Sequence, residues 1–314
     1  MKSVVPIDTT NYELYVGCQD MKNTTSIEID VERFPIFDAH THFSQAYLDQ
    51  VMACYTRCGV TAGVVIQGYN DHALSFEEFL IAMQQRDLLK RWAPCYWPNW
   101  AEFGWQPEAF VERLVGDLHR FSAMGCRALK VWKDLGMFIV HPDGFPATMD
   151  DPRLRPIWDT VAKLGLAVWV HQADPSNHFV TRTGLSREEL YERRNRVIAA
   201  YPHIRFVLCH NGNDIESVAK FSAVFDRFPN TMSDINRDFL LHDSLEDTRN
   251  FITRYADRLM FGPDNTMPNN RPPDVPWSWN DLYLPWRKKI VSWGLDPETF
   301  HKFTWATGAN FFSK

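Results

Sequence analysis

The sequence predicts an α/β fold, a (β/α)8 barrel (TIM barrel) with an N-terminal extension and a C-terminal helical segment. Three observations predict it: eight short apolar runs recur along the 314 residues, longer amphipathic stretches alternate with them, and residues able to bind a metal stand at the C-terminal ends of several runs. The runs are Phe34–Ala39, Val60–Gln67, Trp92–Trp97, Cys126–Trp132, Leu166–His171, Ile204–His210, Thr231–Ile235 and Arg258–Gly262. Near-continuous apolar strands alternating with helices imply a parallel sheet covered on both faces. Eight such units in about 250 residues match a closed barrel. The alternative is a doubly wound open sheet, but its glycine-rich phosphate turn is missing after the first run, where Asp38-Ala39-His40 stands.

The stretches Phe76–Arg91, Pro107–Met124, Leu154–Leu164, Arg187–Tyr201 and Ile215–Phe228 carry the helical period. Two of them open with capping boxes, Ser75 ahead of Glu78 and Ser186 ahead of Glu189. Residues 1–32 precede the rhythm as an extension, residues 33–314 form the barrel, and a helical piece near Pro297–Phe312 ends it. Residues 265–286, with Pro268, Pro272, Pro273, Pro276, Trp277 and Trp279, read as a long irregular loop covering the C-terminal face of the barrel.

Composition narrows the function. Hydrophobic residues make up 45% and charged residues 23%, which excludes a fibrous or mainly disordered chain. No run of about 18 apolar residues occurs, so no membrane-spanning helix is expected. Met1–Tyr15 lacks a basic start followed by an apolar stretch, so no secretory leader is expected. The 33 Lys and Arg against 39 Asp and Glu leave a net charge of -6, a balance that suggests no nucleic-acid partner. The expected partner is a small-molecule substrate, in a pocket that some of the 12 Trp line; a homo-oligomer is compatible with the sequence. Six cysteines, Cys18, Cys54, Cys58, Cys95, Cys126 and Cys209, read as buried free thiols of a reducing, cytoplasmic compartment. Cys54 and Cys58 have the spacing of half a zinc site, but no second pair stands nearby to complete it.

The chemistry gathers at the strand ends. His40 and His42 close the first run in Asp-Ala-His-Thr-His and, two apart on a strand, point to the same side. His171 ends the fifth run, His210 ends the sixth, and Asp264 follows the eighth. In a barrel these ends open onto one face, where such enzymes carry their active sites. Four imidazoles and a carboxylate there form a site for zinc, or for another first-row divalent ion such as manganese. Lys130 lies inside the apolar fourth run, where burial disfavours its cation and favours an amine that reacts with carbon dioxide. The resulting carbamate can bridge two metal ions. A snorkelling or ion-paired lysine is the plainer alternative, and Lys133, just beyond the strand, competes for the role.

The order His-x-His after strand one, Lys on strand four, His after five, His after six and Asp after eight resembles the amidohydrolase superfamily of metal-dependent hydrolases, from about Phe34 to Asp264. The strings Phe-Asp-Ala-His-Thr-His, Val-Leu-Cys-His-Asn-Gly-Asn and Leu-Met-Phe-Gly-Pro-Asp resemble its type 2 branch, which includes aromatic-acid decarboxylases, a lactonase and a hydratase beside hydrolases. The resemblance implies that His40, His42 and Asp264 bind a first ion. His171 joins that ion in one-metal members and a second ion in two-metal members. His210 binds the second ion or, in one-metal members, positions the attacking water. Lys130 is the carbamate bridge where two ions are present, so one or two ions per chain are implied.

The implied reaction is hydrolysis of an amide, lactone or other ester by a metal-activated water, with Asp264 carrying the proton. The alternative is one-metal non-oxidative decarboxylation of an aromatic or dienoic acid, which does not need Lys130; a metal-binding barrel without catalysis is the third reading. Candidate substrate contacts are Asp174, Asn177, His178, Arg182 and Thr183 after strand five, with Asn236 and Arg237 after strand seven. Arg237 suits a forked clamp on a substrate carboxylate, its alternative being a salt bridge to Asp234 or Asp238.

Overall fold

Strand β1 (Ile36–His42) is buried along all but its last residue, as a strand covered on both faces must be. Its parallel neighbour β2 (Val60–Gly68) sets Val60 opposite Ile36 and Val65 opposite Thr41. Each later strand then pairs in parallel with the one before it: β3 (Trp92–Trp97), β4 (Ala128–Val131), β5 (Ala167–Val170), β6 (Phe206–Leu208), β7 (Thr231–Ile235) and β8 (Leu259–Phe261). A two-residue strand, β9 (Asn265–Thr266), follows β8 and pairs in parallel with Thr41 and His42 of β1. The β8–β9 segment thereby closes the ring, which excludes the doubly wound open sheet. The computed structural model describes residues 34–43, 48–68, 75–213, 218–236, 244–266 and 279–312. The expected extension 1–32, Arg237 and most of the expected covering loop, 267–278, lie outside the described residues.

A helix follows every strand: α1 (Leu48–Arg57), α2 (Phe76–Gln85), α3 (Pro107–Ala123), α4 (Arg155–Leu164), α5 (Arg187–Ala200), α6 (Val218–Arg227), α7 (Leu245–Arg254) and α8 (Trp279–Ser292). Both capping boxes form, with the Ser75 and Ser186 hydroxyls accepting from the Glu78 and Glu189 amides. Among the described residues no helix is long and apolar enough to cross a membrane. Cys54, Cys58, Cys95, Cys126 and Cys209 are buried free thiols.

Aromatic side chains fill the barrel and seal its base. The Trp169 indole of β5 reaches across to donate to the Ala39 carbonyl of β1 at 3.0 Å. The C-terminal segment, helical over Pro297–His301, π-helical over Lys302–Ala306 and helical again over Thr307–Phe311, packs Phe311 and Phe312 on Trp169, with ring centroids 5.4 and 6.1 Å away. Arg205, just ahead of β6, donates to the Phe311 carbonyl, which puts this segment at the N-terminal end of the barrel and leaves the opposite end for the ligands.

Gly262 is a close-approach point at that opposite end. A Cβ added there would lie 2.7 Å from the Asp234 Cβ and 3.1 Å from the His40 Cβ. Gly262→Ala is therefore expected to destabilise the fold by about 1–3 kcal/mol through overpacking and to displace His40. Denaturant unfolding and metal content check this; an unchanged midpoint with full metal binding would show that the site relaxes freely.

Candidate metal centre

Three histidines and an aspartate converge at the C-terminal mouth of the barrel. His40 Nε2 lies 3.4 Å and His42 Nε2 3.2 Å from Asp264 Oδ1. His210 stands two residues past the end of β6, its Nε2 is 3.5 Å from Asp264 Oδ2, and its ring stacks on His40 with centroids 4.7 Å apart. Donor atoms of His40, His210 and Asp264 all lie within 4.8 Å of one another. The backbone that aims these groups is strained. His210 and Asp264 have φ of 54° and 57°, and Asn211 and Asn213 have 57° and 59°. A residue other than glycine held in this left-handed region costs about 1–3 kcal/mol. Asn, Asp and His are the non-glycine residues that enter it most often, which suits the residues found here.

Asp234 of β7 fixes two of the imidazoles from behind. It is fully buried, accepts from His40 Nδ1 at 2.9 Å and from the His210 backbone N–H at 2.7 Å, and lies 3.3 Å from His210 Nδ1. Burial alone would raise this carboxyl, but His40 and His210 more than offset it and hold it well below the usual range. A carboxylate on Nδ1 sets the tautomer of His40 and turns its Nε2 lone pair to the centre. Asp234→Asn is expected to lower metal affinity roughly 10- to 100-fold, the usual effect of losing such a partner. Chelator competition measures it, and an unchanged affinity would remove Asp234 from this role.

Asp38, two residues before His40, is also fully buried. It accepts from the His40 backbone N–H at 2.9 Å and from the Tyr283 hydroxyl of α8, and burial pushes its pKa up to about 8. Neither aspartate stands out in the sequence reading, although a carboxylate in a barrel strand carries the same signal that marks Lys130. Lys130 itself is fully buried and donates from Nζ to Cys209 Sγ at 3.1 Å. Cys209 in turn offers its sulfur within 4.8 Å of donor atoms of His40 and Asp234, so Lys130 faces the same interior. Among the described residues no carboxylate pairs with it.

The residues fit a divalent ion. His210 Nε2 and His171 Nδ1 are buried and have no hydrogen-bond partner among the described residues. Such orphaned groups cost about 1–3 kcal/mol each unless another partner takes the lone pair. The separations of 3.2–3.5 Å between ring nitrogens and Asp264 oxygens match the edge of a tetrahedron with arms of about 2.0–2.1 Å. Burial, with Lys130 adding to it, pushes the His40 pKa down to about 4, and burial pushes His171 down to about 3. Both rings are thereby kept in the neutral form that ligates metals. For Asp264, burial would raise the carboxyl, but His40, His42 and His210 hold it far below its ordinary value, as the anion.

His171 stands beside this group rather than within it. Its ring centroid is 5.2 Å from that of His210, and its Nε2 faces Asp174 Oδ1 at 3.3 Å. An aromatic arc runs from His42 through Trp97 and Trp132 to His171, with successive centroids 6.0, 4.8 and 4.6 Å apart. Of the expected substrate contacts, His178 and Arg182 are exposed on the loop after β5, and Asn236 is half-buried just past β7. The Thr183 hydroxyl donates to the Gly136 carbonyl and so ties the loop after β5 to the loop after β4.

A barrel whose strand ends gather imidazoles and a carboxylate around one point is built as a metal-dependent enzyme. The sequence profile of the amidohydrolase family (Amidohydro_2) matches residues 37–313, and the chain belongs to that family. Solved structures share the fold. A dihydroxybenzoic acid decarboxylase from Polaromonas sp. JS666, with bound manganese and the inhibitor 2-nitroresorcinol, aligns with a TM-score of 0.58 at 14% identity, over 88% of this chain and 96% of that one. The TIM-barrel protein Bb4693 from Bordetella bronchiseptica aligns at 0.56 and 16%, over 85% and 82%. Dihydroorotase from Campylobacter jejuni aligns at 0.54 and 14%, over 89% and 83%. None of the curated proteins matches the chain.

Proposed function

We propose that the protein is a metal-dependent hydrolase that opens an amide, lactone or other ester bond of a small molecule. The observation that carries this reading is the placement of Asp264, whose Oδ1 faces His40 and His42 while its Oδ2 faces His210. One carboxylate thus adjoins both the ligand pair of β1 and the imidazole across from it. His40, His42 and Asp264 would hold a first ion, and His171, His210 and a carboxylated Lys130 would hold a second. Zinc or manganese held there would supply Lewis acidity, making a bound water more acidic and polarising the substrate carbonyl.

Asp264 accepts the proton of the attacking water at a carboxylate oxygen and returns it to the leaving nitrogen or oxygen. With one ion instead of two, His210 would be free to direct Nε2 at that water. Asp234 holds His40 and the His210 backbone while this happens. Trp97 and Trp132 give the substrate a flat apolar flank. Arg182, His178, Asn236 and Arg237 are the proposed contacts to the rest of the substrate.

Metal analysis of the purified protein, followed by assay of lactones, amides and aromatic acids, tests the reading. The expected result is a hydrolysed product whose formation stops on chelation and returns with zinc or manganese. Carbon dioxide release from an acid, with no ester, lactone or amide cleaved, would overturn it. That outcome belongs to the second reading, a one-metal decarboxylase. The tight grouping of His40, His210 and Asp264 supports it, since it suits a single ion, as does the fold shared with the manganese-containing decarboxylase.

A further inference from the structure

We propose that Asp174, held by Lys133, is a positioning residue that fixes the tautomer and ring orientation of His171, with the proton on Nε2 and the Nδ1 lone pair presented inside the site. The proposal rests on the reading that His171 belongs to the metal centre, and it adds two residues that act through it. Lys133 Nζ contacts both Asp174 oxygens, at 2.7 and 2.6 Å. Asp174 Oδ1 then lies 3.3 Å from His171 Nε2. An ionised carboxylate only accepts hydrogen bonds, so the ring atom facing it is an N–H. A neutral imidazole has a single N–H, which leaves Nδ1 as the lone pair. That nitrogen is the buried atom of His171 with no partner among the described residues.

Packing leaves the ring little freedom to choose otherwise. His171 sits edge-on to Trp132, with centroids 4.6 Å apart, and edge-on to His210 at 5.2 Å. Its backbone N–H donates to the Val131 carbonyl of β4 at 3.0 Å, which ties it to the strand that leads into Trp132 and Lys133. Lys133 also lies over the Trp132 ring, its Nζ 5.4 Å from the centroid. The two lysines that compete in the sequence thus have different partners: Lys130 turns inward to Cys209, and Lys133 stays at the mouth on Asp174. Lys133 and Asp174 are only 23% and 17% exposed, so their pairing is partly shielded and keeps the carboxylate from swinging to solvent.

The test is long-range proton–nitrogen NMR of the metal-free full chain labelled with 15N-histidine, together with zinc affinity by chelator competition. The His171 signals are assigned by their loss in His171→Gln. The wild type is expected to show the Nε2–H pattern for His171. Asp174→Ala is expected to lose that pattern and to bind zinc roughly 10- to 100-fold more weakly. Asp174→Asn keeps an acceptor oxygen and is expected to retain the pattern with a smaller loss of affinity. An Nδ1–H pattern in the wild type, or wild-type pattern and affinity in Asp174→Ala, would overturn the proposal. Absence of activity on every substrate would count against the hydrolase reading and leave the tautomer result standing, because the NMR readout needs neither metal nor turnover.

Discussion

Replacing Asp264 with Asn is expected to lower turnover by roughly 10²–10⁴-fold, the range for losing a positioned proton carrier. The substitution isolates chemistry from folding better than most. Asp264 holds φ at 57°, a region that Asn enters as readily as Asp, so the backbone need not move. Asp264→Ala would add about 1–2 kcal/mol of left-handed strain and confuse the two effects. An amide oxygen can still approach the β1 imidazoles, but it cannot take a proton from water near neutral pH. The expected signature is a large fall in kcat with an unchanged unfolding midpoint and a partial fall in metal content. A variant that hydrolyses substrate at the wild-type rate would remove Asp264 from proton transfer.

Where the sequence is legible and where it is not follows from what each signal depends on. Strand identity is carried by local apolar runs, and each of the eight runs overlaps a strand, although β1 continues past its run to His42 and β2 to Gly68. The ends are less exact, because the run at Leu166–His171 continues past the last ladder pair, Val170 with Leu208, and so His171 stands on a loop. The closing strand β9 is a polar pair, Asn265-Thr266, with no apolar signal; it exists because the chain beyond β8 passes alongside β1. His40, His42, His210 and Asp264 are legible because polar residues that end apolar runs are rare and the barrel brings such ends together. Asp234 and Asp38 are harder to see, since their task is to accept from His40 and its neighbours, and those partners are distant in sequence or set by the strand's own geometry. The left-handed turn at His210 leaves a trace in Asn211-Gly212-Asn213, three residues that favour positive φ, but only the fold shows that the turn aims an imidazole.

Lys130→Ala is expected to cost one metal equivalent per chain and about 10²-fold in activity, close to 3 kcal/mol of transition-state stabilisation. Lys130 is fully enclosed, and its Nζ is 3.1 Å from the sulfur of Cys209, a thiol that burial keeps protonated by pushing its pKa up. A thiol is a poor partner for an ammonium, and the Trp132 ring lies 5.6 Å from Nζ. A cation left this way is costly to bury. Carboxylation would exchange it for an anion beside His210 and His171, whose Nε2 and Nδ1 are the orphaned nitrogens of the site. Short carboxylic acids added to Lys130→Ala should then restore part of both metal and activity, by occupying the space of the lost carbamate. Lys130→Met separates this role from a packing one. It fills the same volume without charge, so it should equal or exceed the wild type in stability while losing the second ion. If Lys130→Met instead keeps the metal content and turnover of the wild type, Lys130 serves packing alone, the two-ion hydrolase loses its bridge, and the one-ion lyase becomes the better reading.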